Sequence, residues 1–315
     1  MKMVNSVGLT FWQRIRLGLL WYISLGVATS PYFVQYHILQ GLVCFVLRCI
    51  RYRYSRITSN LHNSFPEKSE AEIRTIRRRF YSHLAEMIVN TLGQARMTPE
   101  ECRRRLNFVN SNELLSVIGN GPGIVLTSHL GSWEYYGFYG AWVENHVIAL
   151  IYHKLHDPAA EELLKRLRIH SNGYTVASHE AARFFTRYRN DYNGKPVILG
   201  LISDQNPPRT PDSHWYRFLN QDTIFFEGGE RLAMRYGVPV FYASQRKLRR
   251  GYYEATFEML WDGVSEVAPH EITERYVSLL ERDILACPEM WMWSHHRWKH
   301  RPDKKYNPVA RPRGY

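Results

Sequence analysis

Thirty-one consecutive residues, from Leu17 to Leu47, carry no Asp, Glu, Lys or Arg, and no other part of the chain resembles this run. A stretch so long and so poor in charge must be buried in protein or in lipid, and a bilayer crossing takes only about 20 apolar residues. Pro31 interrupts the run, and Gln35, His37 and Gln40 dilute its second half, so a simple crossing is not dictated. It exceeds the apolar core of a signal peptide and no small-x-small site closes it, so it is expected to stay attached. Lys2, Arg14 and Arg16 precede it, and Arg48, Arg51, Arg53 and Arg56 follow. Positive charge at both ends disfavours one crossing and favours a hairpin or in-plane anchor, with a buried core helix pair as the alternative. Residues 1–50 are therefore read as an N-terminal membrane anchor, 51–302 as one further domain, and 303–315 as a basic tail.

Beyond the anchor the pattern alternates. Ser69 and Glu72 form a capping box ahead of Ile73, Ile76, Phe80, Leu84 and Met87, predicting a long amphipathic helix over 70–94. Thr98-Pro99 starts another helix. Apolar runs GIVLTS (from Gly123), VIALIY (147–152), VILGLIS (197–203), VPVFYAS (238–244) and YYEATFEML (252–260) read as strands. Helical stretches from Trp133 to Glu144, from Asp157, over 227–236 and over 270–285 separate them. This alternation predicts an α/β fold with a central, mostly parallel sheet flanked by helices. Hydrophobic residues at 45% and charged residues at 22% exclude disorder, and four cysteines without zinc-like spacing fit a reducing compartment. The net charge of +12 points to anionic partners.

In open α/β sheets ligands gather at the carboxyl ends of strands, and the first of these strands ends in TSHLGSWE. His129 is the last polar residue before the turn. If Ser132 caps the next helix, Glu134 lies in its first turn, and carboxylate and imidazole can meet as a base and its orienter. No nucleophilic serine is demanded, and no GxSxG is present. Fourteen histidines raise a zinc hydrolase as a rival, but no HxxxH or HxxEH helix appears, so neither metal nor cofactor is expected. The basic cluster Arg246, Lys247, Arg249 and Arg250 raises nucleic acid, yet no recognition module accompanies it and no nucleic-acid partner is expected. Trp291, Trp293 and Trp298 are candidates for membrane-surface contact.

Several ordered blocks carry a resemblance. His129-Leu-Gly-Ser-Trp-Glu134 looks like the HxxxxD/E motif of the lysophospholipid acyltransferase superfamily. Arg56 with Asn60-Leu61 and Phe65-Pro66-Glu67, Tyr152 with Pro158 and Arg166-Leu-Arg168, and Ser203-Asp204-Gln205 resemble blocks of its late acyltransferases of lipid A biosynthesis, the lauroyl and myristoyl transferases. The stretch from Glu289 to Pro302, with Trp293, His295, Arg297, Lys299 and Arg301, is similar to that branch's terminal signature. The resemblance reaches from about Arg56 to Pro302. It implies a glycerol-3-phosphate acyltransferase-like fold, making 51–302 an acyltransferase domain, with a membrane anchor at the cytoplasmic face of the cell inner membrane. It implies transfer of a fatty acyl chain from acyl carrier protein to a hydroxyl of an anionic lipid A precursor or related glycolipid, with a phospholipid or an ornithine lipid as the alternative acceptor. His129, Glu134, Arg166 and Asp204 are carried over as catalytic, with Arg166 at the thioester oxyanion or a lipid phosphate. Ser132, Trp133, Tyr152, Arg168, Gln205, His295, Arg297, Lys299 and Arg301 are carried over as substrate-binding. His153 stands where the branch has an arginine, and Phe218-Leu219-Asn220 replaces an FFG-like segment, so chain length and acceptor stay open.

Overall fold

A computed structural model describes residues 9–168 and 173–302; the basic tail of 303–315 and Lys2 lie outside the described residues. After Thr10, which caps α1 (Phe11–Thr29) in a box with Gln13, the chain turns at Pro31 into a π-helix (Val34–Leu39) and then α2 (Gln40–Cys49). Helix α3 (Tyr54–Ser64) leads into α4 (Glu70–Gly93), whose Ser69–Glu72 capping box forms as its spacing predicts. Helix α5 (Pro99–Arg105), capped by Thr98, precedes strand β1 (Leu106–Phe108) and α6 (Ser111–Ile118).

The alternation then unfolds as β2 (Gly123–Thr127), β3 (Val147–Tyr152), α7 (Pro158–Arg168), β4 (Gly173–Ala177), α8 (Ala181–Tyr188) and β5 (Val197–Ile202). A two-stranded antiparallel ribbon, β6 (Tyr216–Phe218) and β7 (Gln221–Thr223), precedes α9 (Gly228–Tyr236), the long hairpin β8 (Val240–Arg249) and β9 (Tyr252–Trp261), and α10 (Glu271–Ala286). Seven strands form one sheet in the order β1-β9-β8-β2-β5-β3-β4, parallel throughout except between β8 and β9. Strand β2 is buried along its whole length, as its unbroken apolar sequence requires of a strand covered on both faces. Helices α9 and α10 pack on β8, and α8 packs on β4 and β5. The expected α/β architecture, a mostly parallel sheet flanked by helices, is what forms.

The uncharged N-terminal stretch behaves differently from a bilayer crossing. No helix of the described residues is long and apolar enough to cross a membrane. Arg14 and Arg16 lie inside α1, so its uncharged part, Leu17 to Thr29, spans only about 20 Å at 1.5 Å per residue. The polar residues of the second half are staples within the protein. At the end of α1 the Gln35 amide donates to the carbonyls of Val27 (3.0 Å), which the Ser30 N–H also reaches, and of Ser30 (2.8 Å), and Gln40 donates to Ser82 O (3.0 Å) on α4. Helices α1 and α2 both lie along α4, and α1 also rests on α7, where Arg16 pairs with Asp157. Their outer sides leave Phe11, Trp12, Leu19, Tyr22, Phe33, Leu42 and Phe45 exposed.

Candidate active site

Strands β2 and β5 pair in parallel with Thr127 opposite Ile202, so two residues beyond each strand end His129 must face Asp204. The facing is realised by two hydrogen bonds. Asp204 Oδ1 lies 2.7 Å from His129 Nδ1, and Oδ2 accepts from the His129 backbone N–H at 2.9 Å. Trp291 Nε1 donates to the same Oδ2 at 2.8 Å. Burial would raise the Asp204 carboxyl, but the attraction and hydrogen bonds of the His129 ring and backbone and the Trp291 indole outweigh it, holding it below the usual carboxylate range. An ionised carboxylate only accepts, so Nδ1 carries the proton and Nε2 offers its lone pair. The one group on Nε2 is the Gln205 amide, 3.1 Å away.

The turn after His129 is clamped on several sides. Gly131 has φ +71, and a Cβ there would lie 2.6 Å from Gln245 Oε1, so no other residue fits without displacing that amide. Gln245 Oε1 accepts from Ser132 N (2.8 Å), Gly131 N donates to Met290 O (3.1 Å), and Leu130 bridges to Trp291. Below the turn His83 contacts Gly131 O at 3.3 Å, and burial pushes that imidazole down to about 4. Ser132 makes no side-chain cap; its buried Oγ accepts from Asn90 Nδ2 at 3.2 Å. The expected helix after it forms as a 3-10 helix, Trp133–Ala141, and stops short of Glu144.

His129 opens on a largely apolar cavity of about 590 Å³ at the carboxyl ends of β2, β3 and β5. Leu150, Ile151, Leu155, Leu201, Ile202, Phe226 and Leu232 line it, with Trp133, Glu134, Tyr152, Arg168 and Gln205 among its polar or amphipathic members. The Trp133 ring meets the His129 imidazole edge to face, centroids 5.0 Å apart.

Glu134, expected to orient His129, is instead locked to Arg168 by two bonds of 2.6 Å. Burial would lower the Arg168 guanidinium, but its bonds to Glu134 and that carboxylate's charge raise it above its ordinary value. The fork also sits 5.9 Å from the Tyr152 ring. Arg166, on the same helix, does not line the cavity: it pairs with Glu162 one turn back at 3.0 Å. A two-residue step on a helix turns the side chain through about 200°, which is why only one of Arg166 and Arg168 can face the cavity.

The terminal signature proves to be an internal brace. Arg297 is 1% exposed, donating to Asn206 Oδ1 (2.9 Å) and Ile224 O (2.7 Å) over the Phe225 ring, and burial pushes it down to about 10. It therefore cannot meet substrate phosphates from there, contrary to expectation. Trp291 and Trp293 are 2% and 0% exposed, so neither touches a membrane surface, and Trp298 is half-buried with its Nε1 on Thr223 Oγ1. His295 is half-buried, and burial together with Arg297 and His129 pushes it down to about 4 despite Asp204 nearby. Lys299 and Arg301 are exposed. The basic cluster near Gly251 is also occupied: Lys247 pairs with Glu86, Arg246 with Glu254, and Arg250 donates to Tyr36 O. Among the described residues no three His, Cys, Asp or Glu side chains converge to hold a metal.

Compared with known proteins, residues 11–300 match the model of one family, described as bacterial lipid A biosynthesis acyltransferase. A search of curated proteins finds no match.

Proposed function

The chain belongs to the bacterial lipid A biosynthesis acyltransferase family and is an O-acyltransferase, and from that premise we propose that it moves a fatty acyl chain from a carrier-protein thioester to a hydroxyl of a lipid A precursor or related glycolipid, with His129 as general base. The observation that carries this reading is His129 Nε2, which lines an apolar cavity and holds only the exchangeable Gln205 amide there, while Nδ1 is tied to Asp204.

The steps follow from these groups. The lipid hydroxyl displaces the Gln205 amide from Nε2 and attacks the thioester carbonyl carbon, giving its proton to Nε2. Asp204 stabilises the imidazolium so formed, at low cost because Trp291 and the His129 amide already hold it as an anion. The tetrahedral intermediate collapses, the C–S bond breaks, and the thiolate takes the proton back from Nε2. No acyl-enzyme is involved, since Ser132 Oγ is buried on Asn90 and is not set beside a base. Arg168, rather than Arg166, is the guanidinium of α7 that lines the cavity, and with Glu134 it positions the thioester end of the donor. The acyl chain runs among Leu150, Leu201, Phe226 and Leu232.

The exposed apolar side of α1 and α2, with Trp12, Tyr22 and Phe45 outward and Arg48 and Arg51 at its border, suits a helix pair lying in the interface of the cell inner membrane on its cytoplasmic face. An assay on membranes with a panel of acyl donors and acceptor lipids tests the reading: ester formation that consumes carrier-bound donor and spares other thioesters supports it, and hydrolysis without an acceptor contradicts it.

A further inference from the structure

Where α2 ends, the chain does something costly. Arg51 and Arg53 adopt left-handed backbone conformations, φ 49 and 47, in the turn that leads into α3, and α3 begins without a side-chain cap. The turn presents Arg51 and Arg53, with Arg56 one turn into the helix, around an open cleft of about 780 Å³ that also takes in Tyr54, Ser55 and His296. Among the described residues no carboxylate lines this cleft. It shares Ser55, Arg56 and His296 with a second cleft of about 1040 Å³ that continues past His300 and Arg301. Among the described residues the one carboxylate lining the second is Asp222, which lies 3.5 Å from Arg217. Among the described residues Arg51, Arg56 and Arg301 form no ion pair. Burial and, after it, the charges of Arg56 and Lys299 push His296 below its ordinary value.

Two further features fix what the groove would hold. Its upper lip follows on from the apolar outer side of α2, where Phe45 is 65% exposed, through Ile50, 63% exposed and adjacent to Arg51. Its wall is tied to the catalytic turn: Arg53 Nη1 donates to Ser294 O at 2.9 Å, Asn206 donates to His296 O, and the same strip carries Trp291 to Asp204. A concave, carboxylate-free cluster of guanidinium forks suits a compact dianion better than the broad face of an acidic protein, and its position beside an apolar shelf suits a dianion whose chains lie in a bilayer.

We propose that this groove seats the phosphomonoester headgroup of the lipid acceptor, with Arg51, Arg53 and Arg56 as its ligands and the lipid's chains lying against α2. The proposal rests on the acyltransferase reading for the word acceptor, but its test needs no acyl transfer.

The full-length protein is mixed with phosphatidylcholine vesicles that are plain, doped with phosphatidate, or doped with phosphatidylglycerol at matched surface charge. The wild type should prefer the phosphatidate vesicles by about tenfold, the worth of one or two charge-assisted hydrogen bonds. Inorganic phosphate should compete that preference away while leaving attachment to plain vesicles intact. The double variant Arg51→Ser, Arg56→Ser should lose the preference and keep attachment to plain vesicles; Arg53 is left in place because it holds Ser294. Should the double variant not fold, Arg56→Glu alone, at a side chain with no ion pair among the described residues, should give the same loss. Equal binding to monoester and diester vesicles overturns the proposal, as does a preference that survives in the variants. Saturable binding of inorganic phosphate without any vesicle preference overturns the lipid assignment. A variant that keeps the phosphatidate preference but loses affinity for an acidic carrier protein would make the groove a protein dock and overturn it too. A protein that shows the preference yet transfers no acyl group overturns only the function proposed above.

Discussion

His129 and Asp204 are joined by two hydrogen bonds, one to the ring at 2.7 Å and one to the backbone N–H at 2.9 Å, and both follow from the parallel register that sets Thr127 beside Ile202. The carboxylate thereby fixes the position, tautomer and charge balance of the imidazole together. Asp204→Asn should leave the fold intact and lower kcat by about 10²- to 10⁴-fold, because a neutral amide neither selects the Nδ1–H tautomer nor balances the imidazolium. Steady-state kinetics with circular dichroism on the purified variant check this, and an effect on KM alone would speak against it.

The two arginines of α7 should part company. Arg168→Lys removes one arm of a two-armed bond to Glu134 at the cavity wall and should lower kcat/KM by about 10- to 100-fold. Arg166→Lys touches only a pair with Glu162 within its own helix, worth about 0.3–0.5 kcal/mol, and should stay within about twofold of the wild type. The reverse order would return the catalytic role to Arg166.

Chain length should be set where Gly200 and Leu150 face each other in the cavity wall. A Cβ on Gly200 would come within 2.9 Å of Leu150 Cδ2, and both residues line the cavity. Gly200→Val should therefore reduce kcat/KM for the longest accepted donor by roughly tenfold or more per methylene pair excluded, with shorter donors spared. A donor series assayed side by side would show it as a shift of the optimum; a uniform loss at every length would contradict it.

Acid should weaken the protein before its carboxylates titrate. The folded-state value of His83 is depressed to about 4 from 6.5 by burial, so the unfolded chain binds its proton first as pH falls. The stability present above pH 6.5 is then lost between 6.5 and about 4, by an amount of about 3 kcal/mol from this group. Urea midpoints across that window should slope steeply for the wild type and less so for His83→Gln; equal slopes would exclude His83 as the cause.

The placing of His129 and of Asp204 at strand ends was legible in sequence, since continuous apolar runs stop at Thr127 and Ile202. Their meeting was not. Which strands neighbour each other depends on the order β8-β2-β5-β3, a long-range outcome that no local pattern encodes, so Glu134, five residues away, looked the nearer orienter. The same limit applied to Trp291 and Arg297, whose amphipathic chemistry suits a surface as well as a core; their burial against Asp204 and Phe225 is settled only by packing. The uncharged N-terminal run misled in one respect. Gln35 and Gln40 read as flaws in a membrane span, and they are the groups that satisfy carbonyls at helix ends and on α4. Gly131 gave a local signal, a glycine one residue past a strand-end His-Leu pair, that only its φ and the Gln245 contact make intelligible.

The most direct measurement is single-turnover acyl transfer from a carrier-bound thioester to a lipid hydroxyl, following ester and free thiol together for the wild type and for His129→Ala reconstituted in the same vesicles. The account predicts ester and thiol appearing in step with no acylated protein, and a fall of about 10²- to 10⁴-fold in the folded variant. Transfer at the wild-type rate without the imidazole, or an acyl group trapped on the protein, would contradict it.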